Sequence, residues 1–181
     1  FLIECSSTSA CQLPIACVGD SVIITGGVFR NGGDSSDLIF VGGGTTLVAT
    51  DATFISQGTG SMANIFSTGA GEVNSITLNN CSVSQSVSAA GQNYLQGLPG
   101  SGFYMQGGEL NINSTASVFM NIVGDGVDVH FDDVDINIQT IGQRAISISS
   151  GANASVIVEN STIDYSNAIH STHTFIADSS T

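Results

Sequence analysis

The chain has 181 residues, of which 41% are hydrophobic and only 9% are charged, and its formal net charge is −13. It contains no lysine, and Arg30 and Arg144 are its only arginines. Such a chain cannot neutralise a phosphate backbone or an anionic membrane surface, which excludes nucleic-acid binding and membrane adhesion. No apolar run approaches the roughly 18–20 residues of a membrane-spanning helix, so no membrane insertion is expected.

The first predicted unit is a cysteine-containing N-terminal segment, residues 1–20. Cys5, Cys11 and Cys17 follow a C-x5-C-x5-C spacing, which is not a zinc-binding pattern. With Cys81 they make an even number, and this predicts disulfides in an extracellular chain. All connectivities stay open, including bridges between subunits. The alternative for Cys81 is a small buried residue in a tight corner.

A repeated pattern follows this segment. Each copy begins with two apolar residues that have one residue between them. A turn residue comes two positions after the second apolar residue, and a third apolar residue comes three positions after the turn residue. The copies are 21–32, 46–57, 75–86, 109–120, 128–139 and 155–166. In the copy at 109–120 the last apolar residue, Val118, comes one position late.

The turn position of the repeat is chemically uniform. It holds residues that tolerate unusual backbone angles or hydrogen-bond their own turn, and mostly small residues follow it. The predicted turn residues are Gly26, Asp51, Asn80, Ser114, Asp133 and Asn160, and the residues after them are Gly27, Ala52, Cys81, Thr115, Val134 and Ser161. A corner of fixed geometry in every copy is the simplest explanation.

A second, weaker apolar segment precedes most copies, at 37–45, 63–71, 102–109 and 145–153. Short strands joined by polar corners and variable loops predict an all-β fold, a right-handed parallel β-helix of about six coils over residues 21–181. The first apolar residues of the copies are 25, 29, 34, 19 and 27 residues apart. The alternative is an antiparallel β-sandwich, which has no reason to repeat one corner.

The densest group of polar side chains lies in residues 124–137. Strand alternation predicts that Val127, Val129 and Phe131 point inward and that the acidic residues point outward. The acidic residues are Asp125, Asp128, Asp132, Asp133 and Asp135. Their density is compatible with a Ca²⁺ site, with a solvated acidic corner, or with the carboxylate pair of a glycosidase.

Other candidate sites are scattered. Asparagine-linked glycosylation sequons occur at Asn80, Asn113, Asn153 and Asn160. The histidines are His130, His170 and His173, and the H-x2-H pair lacks a third metal ligand in sequence reach. The longest spacer, residues 87–102, predicts a contact surface around Tyr94, Leu95, Leu98 and Phe103.

Both ends of the sequence match strands of a coil. The chain opens on Phe1 without a signal-peptide pattern, so we interpret it as processed or trimmed. Residues 1–5 are an apolar strand candidate, and residues 173–181 match the second strand of a coil. Because uncovered β edges pair with further strands, we expect an end-to-end interface between copies of the chain that uses Phe1, Ile3, Phe175 and Ile176.

The repeated copies of residues 20–181 resemble β-helix surface proteins, such as bacterial autotransporter passengers, cell-surface adhesins and archaeal envelope proteins. The lysine-free composition, rich in Gly, Ser, Thr and Asn, is also similar to the sheath proteins of methanogens. The resemblance implies the fold and a place on the cell surface. Polysaccharide lyases and hydrolases share the fold, but two arginines and no lysine do not make the Arg and Lys set of a lyase, and the G-H-G and R-I-K elements of a hydrolase are missing here.

These observations favour a structural, extracellular β-solenoid that assembles with copies of itself into a fibre, sheath or surface layer. An adhesin-type module that binds a glycan or a host receptor is the alternative. A polysaccharide lyase or hydrolase is a further alternative, although the sequence favours a protein that is not an enzyme. No cofactor is expected beyond Ca²⁺.

Overall fold

A computed structural model of the chain describes residues 2–5, 15–31, 38–57, 66–68, 73–87, 95–97, 100–114, 118–122, 125–139, 144–148, 153–164 and 173–177. All regular elements in these ranges are β-strands. The described residues contain no helix that is long and apolar enough to cross a membrane.

The strands stack on three faces of a solenoid. Face 1 consists of β3 (Ser21–Thr25), β6 (Thr46–Thr50), the first part of β9 (Ser75–Val87), the first part of β11 (Gly102–Ser114), β13 (Asp128–Asp132) and β16 (Ser155–Glu159). Face 2 consists of β1 (Leu2–Cys5), β4 (Val28–Asn31), β7 (Thr53–Ser56), the second parts of β9 and β11, β14 (Asp135–Ile138) and β17 (Thr162–Asp164). Both faces belong to one sheet that bends at a corner.

Face 3 is a separate seven-stranded sheet. Its strands are β2 (Ile15–Val18), β5 (Ile39–Gly42), β8 (Phe66–Thr68), β10 (Leu95–Gly97), β12 (Val118–Ile122), β15 (Arg144–Ile148) and β18 (His173–Ala177). All strand pairs among the described residues, on all three faces, are parallel. The parallel β-helix is therefore confirmed, and the antiparallel sandwich is excluded.

The N-terminal segment takes part in the same stack. Residues 2–5 pair with β4 on face 2, and residues 15–18 pair with β5 on face 3. At the other end, residues 173–177 pair with β15 and extend face 3, as the pattern of the second strand predicts.

The corner between faces 1 and 2 has the predicted backbone conformation. Its first residue has a positive φ in every rung, between 50° and 65°, at Gly26, Asp51, Asn80, Gly107, Asp133 and Asn160. This left-handed region favours Gly, Asn and Asp. Hydrogen bonds between rungs continue through the corner, as from Asp51 N to the Asn79 carbonyl oxygen at 3.0 Å. The corner thus bends the chain without interrupting the stack.

One of the six predicted copies is wrong. The fourth strand pair is at 102–114 rather than 109–120, because Phe103 pairs with Ile76 and Gly108 pairs with Cys81. Its corner is Gly107–Gly108, not Ser114–Thr115, and the segment 102–109 contains its first strand and corner instead of a face-3 strand. The first inward residues of face 1 then follow one another at 25, 29, 27, 26 and 27 residues, a more regular spacing than the sequence pattern suggested.

The core is a column of apolar side chains enclosed by the three faces. Alternation along the strands directs every second residue inward, and the buried members include Leu47, Ile76, Phe103 and Val129 on face 1. On face 2, the rings of Phe29 and Phe54 stack with centroids 5.2 Å apart. Removal of this apolar surface from water is the main favourable term in folding.

Candidate functional site

The outward side chains of face 1 form a second set of columns. The middle outward residues of successive strands lie beside one another at strand spacing, and they are Ile23, Val48, Thr77, Tyr104, His130 and Ile157. The next outward column contains Thr25, Thr50, Asn79, Gln106, Asp132 and Glu159. An aromatic ring, an imidazole, two amides and two carboxylates therefore occur together in the later rungs.

A shallow groove of about 220 Å³ lies in this part of face 1. Three neighbouring strands supply its wall, and we call it the face-1 groove. It is lined by Thr77, Asn79, Tyr104, Met105, Gln106, His130 and Asp132. All of these except the buried Met105 are outward-facing and polar or amphipathic, so the groove offers hydrogen-bonding groups beside one aromatic ring.

The ring of Tyr104 lies against the backbone of Gly102. A Cβ atom at position 102 would be 2.7 Å from Cε2 of this ring and 3.1 Å from its hydroxyl oxygen. Glycine at this position therefore leaves room for the ring to lie down along the strand. Tyr104 is nevertheless 39% exposed, so part of the ring is available to a ligand.

The next rung holds two polar groups of the groove in place. His130 Nε2 and Glu159 Oε1 are 2.8 Å apart and form a hydrogen bond. Asp132 Oδ1 accepts a hydrogen bond from Asn160 Nδ2 at 2.9 Å. These contacts restrict the side chains on the groove wall before any ligand arrives.

The five candidate calcium ligands do not converge. Asp128 and Asp132 point outward on face 1, Asp133 is at the corner, Asp135 is on face 2, and Asp125 precedes β13. Asp125 Oδ1 accepts from Asn153 N at 2.9 Å, and Asp135 Oδ1 accepts from the Thr162 hydroxyl at 2.7 Å. Within the described ranges, no group of three or more His, Cys, Asp or Glu side chains is placed to hold a metal ion. The inward and outward directions predicted for this stretch are confirmed.

Cys17 and Cys81 are buried free thiols, so neither forms a predicted disulfide in this structure. Cys81 is instead the small buried residue of a tight corner, since its side chain is 1% exposed beside Asn80. Burial raises the pKa of both thiols above the ordinary value. Cys11 and the side chain of Cys5 lie outside the described residues.

The remaining candidates are distributed over the surface or lie beyond the described part of the chain. All four sequon asparagines, Asn80, Asn113, Asn153 and Asn160, are exposed. Phe103 is 2% exposed in the core, so its predicted place in a contact surface is wrong, since its inward direction follows from the register of β11. Tyr94, Leu98, His170 and Phe1 lie outside the described residues, as do the side chains of Leu95, His173, Ile3, Phe175 and Ile176.

The rung formed by β16 and β17 is less covered than those before it. Val158 is 36% exposed and Ile163 is 40% exposed, whereas Phe131 and Ile136 at the same positions one rung earlier are 1% and 2% exposed. Among the described strands, β16 and β17 have neighbours on one side alone. Inward-pointing apolar surface therefore lies at an edge of the described part of the sheet.

The face-1 groove was not found from the sequence. Its residues come from three strands 26 or 27 residues apart, and the displaced fourth copy placed Tyr104 and Gln106 in a different part of the coil. Correct alignment of "GFYMQGG" with "SITLNNC" and "DVHFDDV" would have placed Thr77, Tyr104 and His130 in one column.

Comparisons of the chain with protein-family models, with curated proteins and with solved structures find no match.

Proposed function

We propose that the chain is a structural, extracellular β-solenoid that associates end to end with copies of itself. The observation that carries the proposal is the exposure of Val158 and Ile163 in the rung of β16 and β17. The composition, which is free of lysine and rich in Ser, Thr, Asn and Gly, supports an extracellular place.

Among the described strands, β16 and β17 lie at the edge of their sheet. A parallel rung placed on this edge would extend the sheet and would bury Val158 and Ile163. Contact between the two different ends of a solenoid is heterologous, so it continues from copy to copy and gives filaments or rings instead of closed dimers. A further rung of the same polypeptide would cover the same surface, and the association state separates the two cases.

Val158→Asp tests the proposal, because it places a charge on the inward side of β16. The matched control is Ile157→Asp on the same strand, since Ile157 is 47% exposed and points outward. We expect light scattering to show concentration-dependent assemblies for the unmodified chain and for Ile157→Asp, and monomers for Val158→Asp. Far-UV circular dichroism checks that both variants keep the fold.

A monomeric unmodified chain at high concentration would overturn the proposal. Assemblies of Val158→Asp that equal those of the unmodified chain would do the same. Electron microscopy of the assembled material then distinguishes a filament from a ring or a layer.

A further inference from the structure

We propose that the face-1 groove binds a neutral saccharide, with one sugar ring packed against Tyr104 and its hydroxyl groups bonded by the amides of Asn79 and Gln106 and by the carboxylate of Asp132. The groove is on the outward side of face 1, whereas the surface proposed for association contains the inward residues Val158 and Ile163. Saccharide binding would therefore add an activity to the proposed structural role.

The composition of the groove fits the two-sided chemistry of a sugar. A pyranose ring has faces of C–H groups and a rim of hydroxyls that donate and accept hydrogen bonds. Tyr104 supplies a partly exposed aromatic surface, and aromatic side chains combine a large apolar area with a polar end. Asn79 and Gln106 offer both donors and acceptors, and the carboxyl group of Asp132 offers acceptors.

The size of the groove indicates a short contact. At about 220 Å³, it is smaller than the roughly 300–1,000 Å³ typical of pockets for drug-sized ligands. It is also open along the outward side of a regular face, so a longer saccharide can extend past the bound ring. We therefore infer that one ring of an oligosaccharide occupies the groove while the neighbouring rings lie along face 1.

The charges around the groove exclude anionic ligands. Asp132 is part of the lining, and Glu159 bonds His130 on the next strand. The lining contains no Arg or Lys, and the two arginines of the sequence belong to faces 2 and 3. Uronates, sulfated sugars and phosphates would meet uncompensated negative charge, so the ligand is a neutral sugar.

The groove is organised before binding. Asn160 bonds Asp132, Glu159 bonds His130, and the ring of Tyr104 lies against Gly102. Side chains that are already restricted lose less conformational entropy when a ligand binds. Their positions on paired strands also keep the spacing of the groups constant.

Binding of oligosaccharides to the full chain tests this proposal. The neutral probes are cellohexaose, N-acetylchitohexaose and mannohexaose, with oligogalacturonate as the anionic counterpart and decalysine as a basic peptide. We expect calorimetry to show a Kd of about 0.1–1 mM for at least one neutral probe. Oligogalacturonate should not bind.

The variants locate the site. Tyr104→Ala should weaken binding of the neutral probe by about tenfold or more, and Gln106→Ala by a similar or smaller factor. Ile23→Ala is the matched control, because Ile23 is 76% exposed in the same outward column but is not part of the groove. It should leave the Kd unchanged, and Tyr104→Phe should keep most of the affinity.

Two results would overturn the proposal. One is the absence of binding by all three neutral probes, including the case in which decalysine alone binds through the general negative charge. The other is a Kd that Tyr104→Ala and Gln106→Ala leave unchanged. The association state of Tyr104→Ala, measured by light scattering, reports on the structural role separately, because Tyr104 points outward two strands from β16, whereas Val158 and Ile163 point inward.

Discussion

At the scale of single residues, the corner between faces 1 and 2 imposes the strongest constraint. Four rungs use Asp or Asn at the residue with positive φ, and two rungs use Gly followed by a second Gly. The second glycines, Gly27 and Gly108, also have positive φ, of 95° and 91°. At Gly108 a Cβ atom would lie within 2.1 Å of the Cys81 carbonyl oxygen, which is backbone and cannot move aside alone.

Gly108→Ala should therefore lower the free energy of unfolding by at least about 2 kcal/mol, because it combines backbone strain with a clash. The matched control is Gly107→Asn. The φ of Gly107 is 65°, at the position where four other rungs carry Asn or Asp, and its nearest backbone neighbour, Asn80 Cα, is 3.8 Å from the Cβ position. We expect this variant to change stability by less than about 1 kcal/mol. Urea unfolding measures the stability of both variants. Equal losses of stability would contradict the inference that Gly108, and not Gly107, requires glycine.

At the scale of elements, alternation along each strand separates core from surface. In β7, Phe54 is fully buried and stacks on Phe29, whereas the next residue, Ile55, points outward and is half-buried. The two side chains thus test the inside and the outside of one strand.

Phe54→Ala should lower the free energy of unfolding by about 3–5 kcal/mol, because it removes a large buried ring and leaves a cavity beside Phe29. Ile55→Ala should cost about 1 kcal/mol, since its side chain already contacts water. Thermal and urea unfolding of both variants provide the comparison. If Ile55→Ala cost as much as Phe54→Ala, the assignment of the inward side of β7 would be wrong.

The elements also show what sequence patterns can predict. Period-two alternation predicted the directions of Val129, Phe131 and Ile136, because the pattern is local and depends on strand geometry alone. The fourth copy was displaced because "ELNINS", which follows the Gly107–Gly108 corner, continues the alternation and was aligned as the first strand of a copy instead of the second. The face-1 groove depends on the register of Thr77, Tyr104 and His130, which a pattern within one strand does not contain.

At the scale of the whole molecule, carboxylates are distributed along the solenoid. Side-chain bonds between rungs hold several of them, as in Asn80 Nδ2 to Asp51 Oδ1 at 2.6 Å and Ser82 Oγ to Glu109 Oε1 at 2.7 Å. These bonds are between neutral donors and carboxylates, so they satisfy acceptors without cancelling charge. Ions of the solvent therefore have to neutralise the net charge of −13.

Repulsion among the carboxylates should make the folded chain more stable as salt is added. Two charges about 10 Å apart in water repel by about 0.4 kcal/mol, and the screening length falls from about 30 Å at 0.01 M salt to about 8 Å at 0.15 M. Because many such pairs are closer together in the solenoid than in the unfolded chain, we expect the free energy of unfolding at pH 7 to rise by about 1 kcal/mol over this range.

The exposed carboxylate of Asp128 offers a matched variant for this prediction. Asp128→Asn should raise stability at 0.01 M NaCl and should reduce the dependence on salt, because it removes one of the repelling charges. Urea unfolding at a series of NaCl concentrations measures both effects, and stability that falls with added NaCl would contradict the argument. CaCl₂ and MgCl₂ at matched ionic strength extend the test. If screening alone acts, CaCl₂ and MgCl₂ should raise the free energy of unfolding by the same amount. A larger increase in CaCl₂, absent from Asp128→Asn, would indicate a bound calcium ion instead.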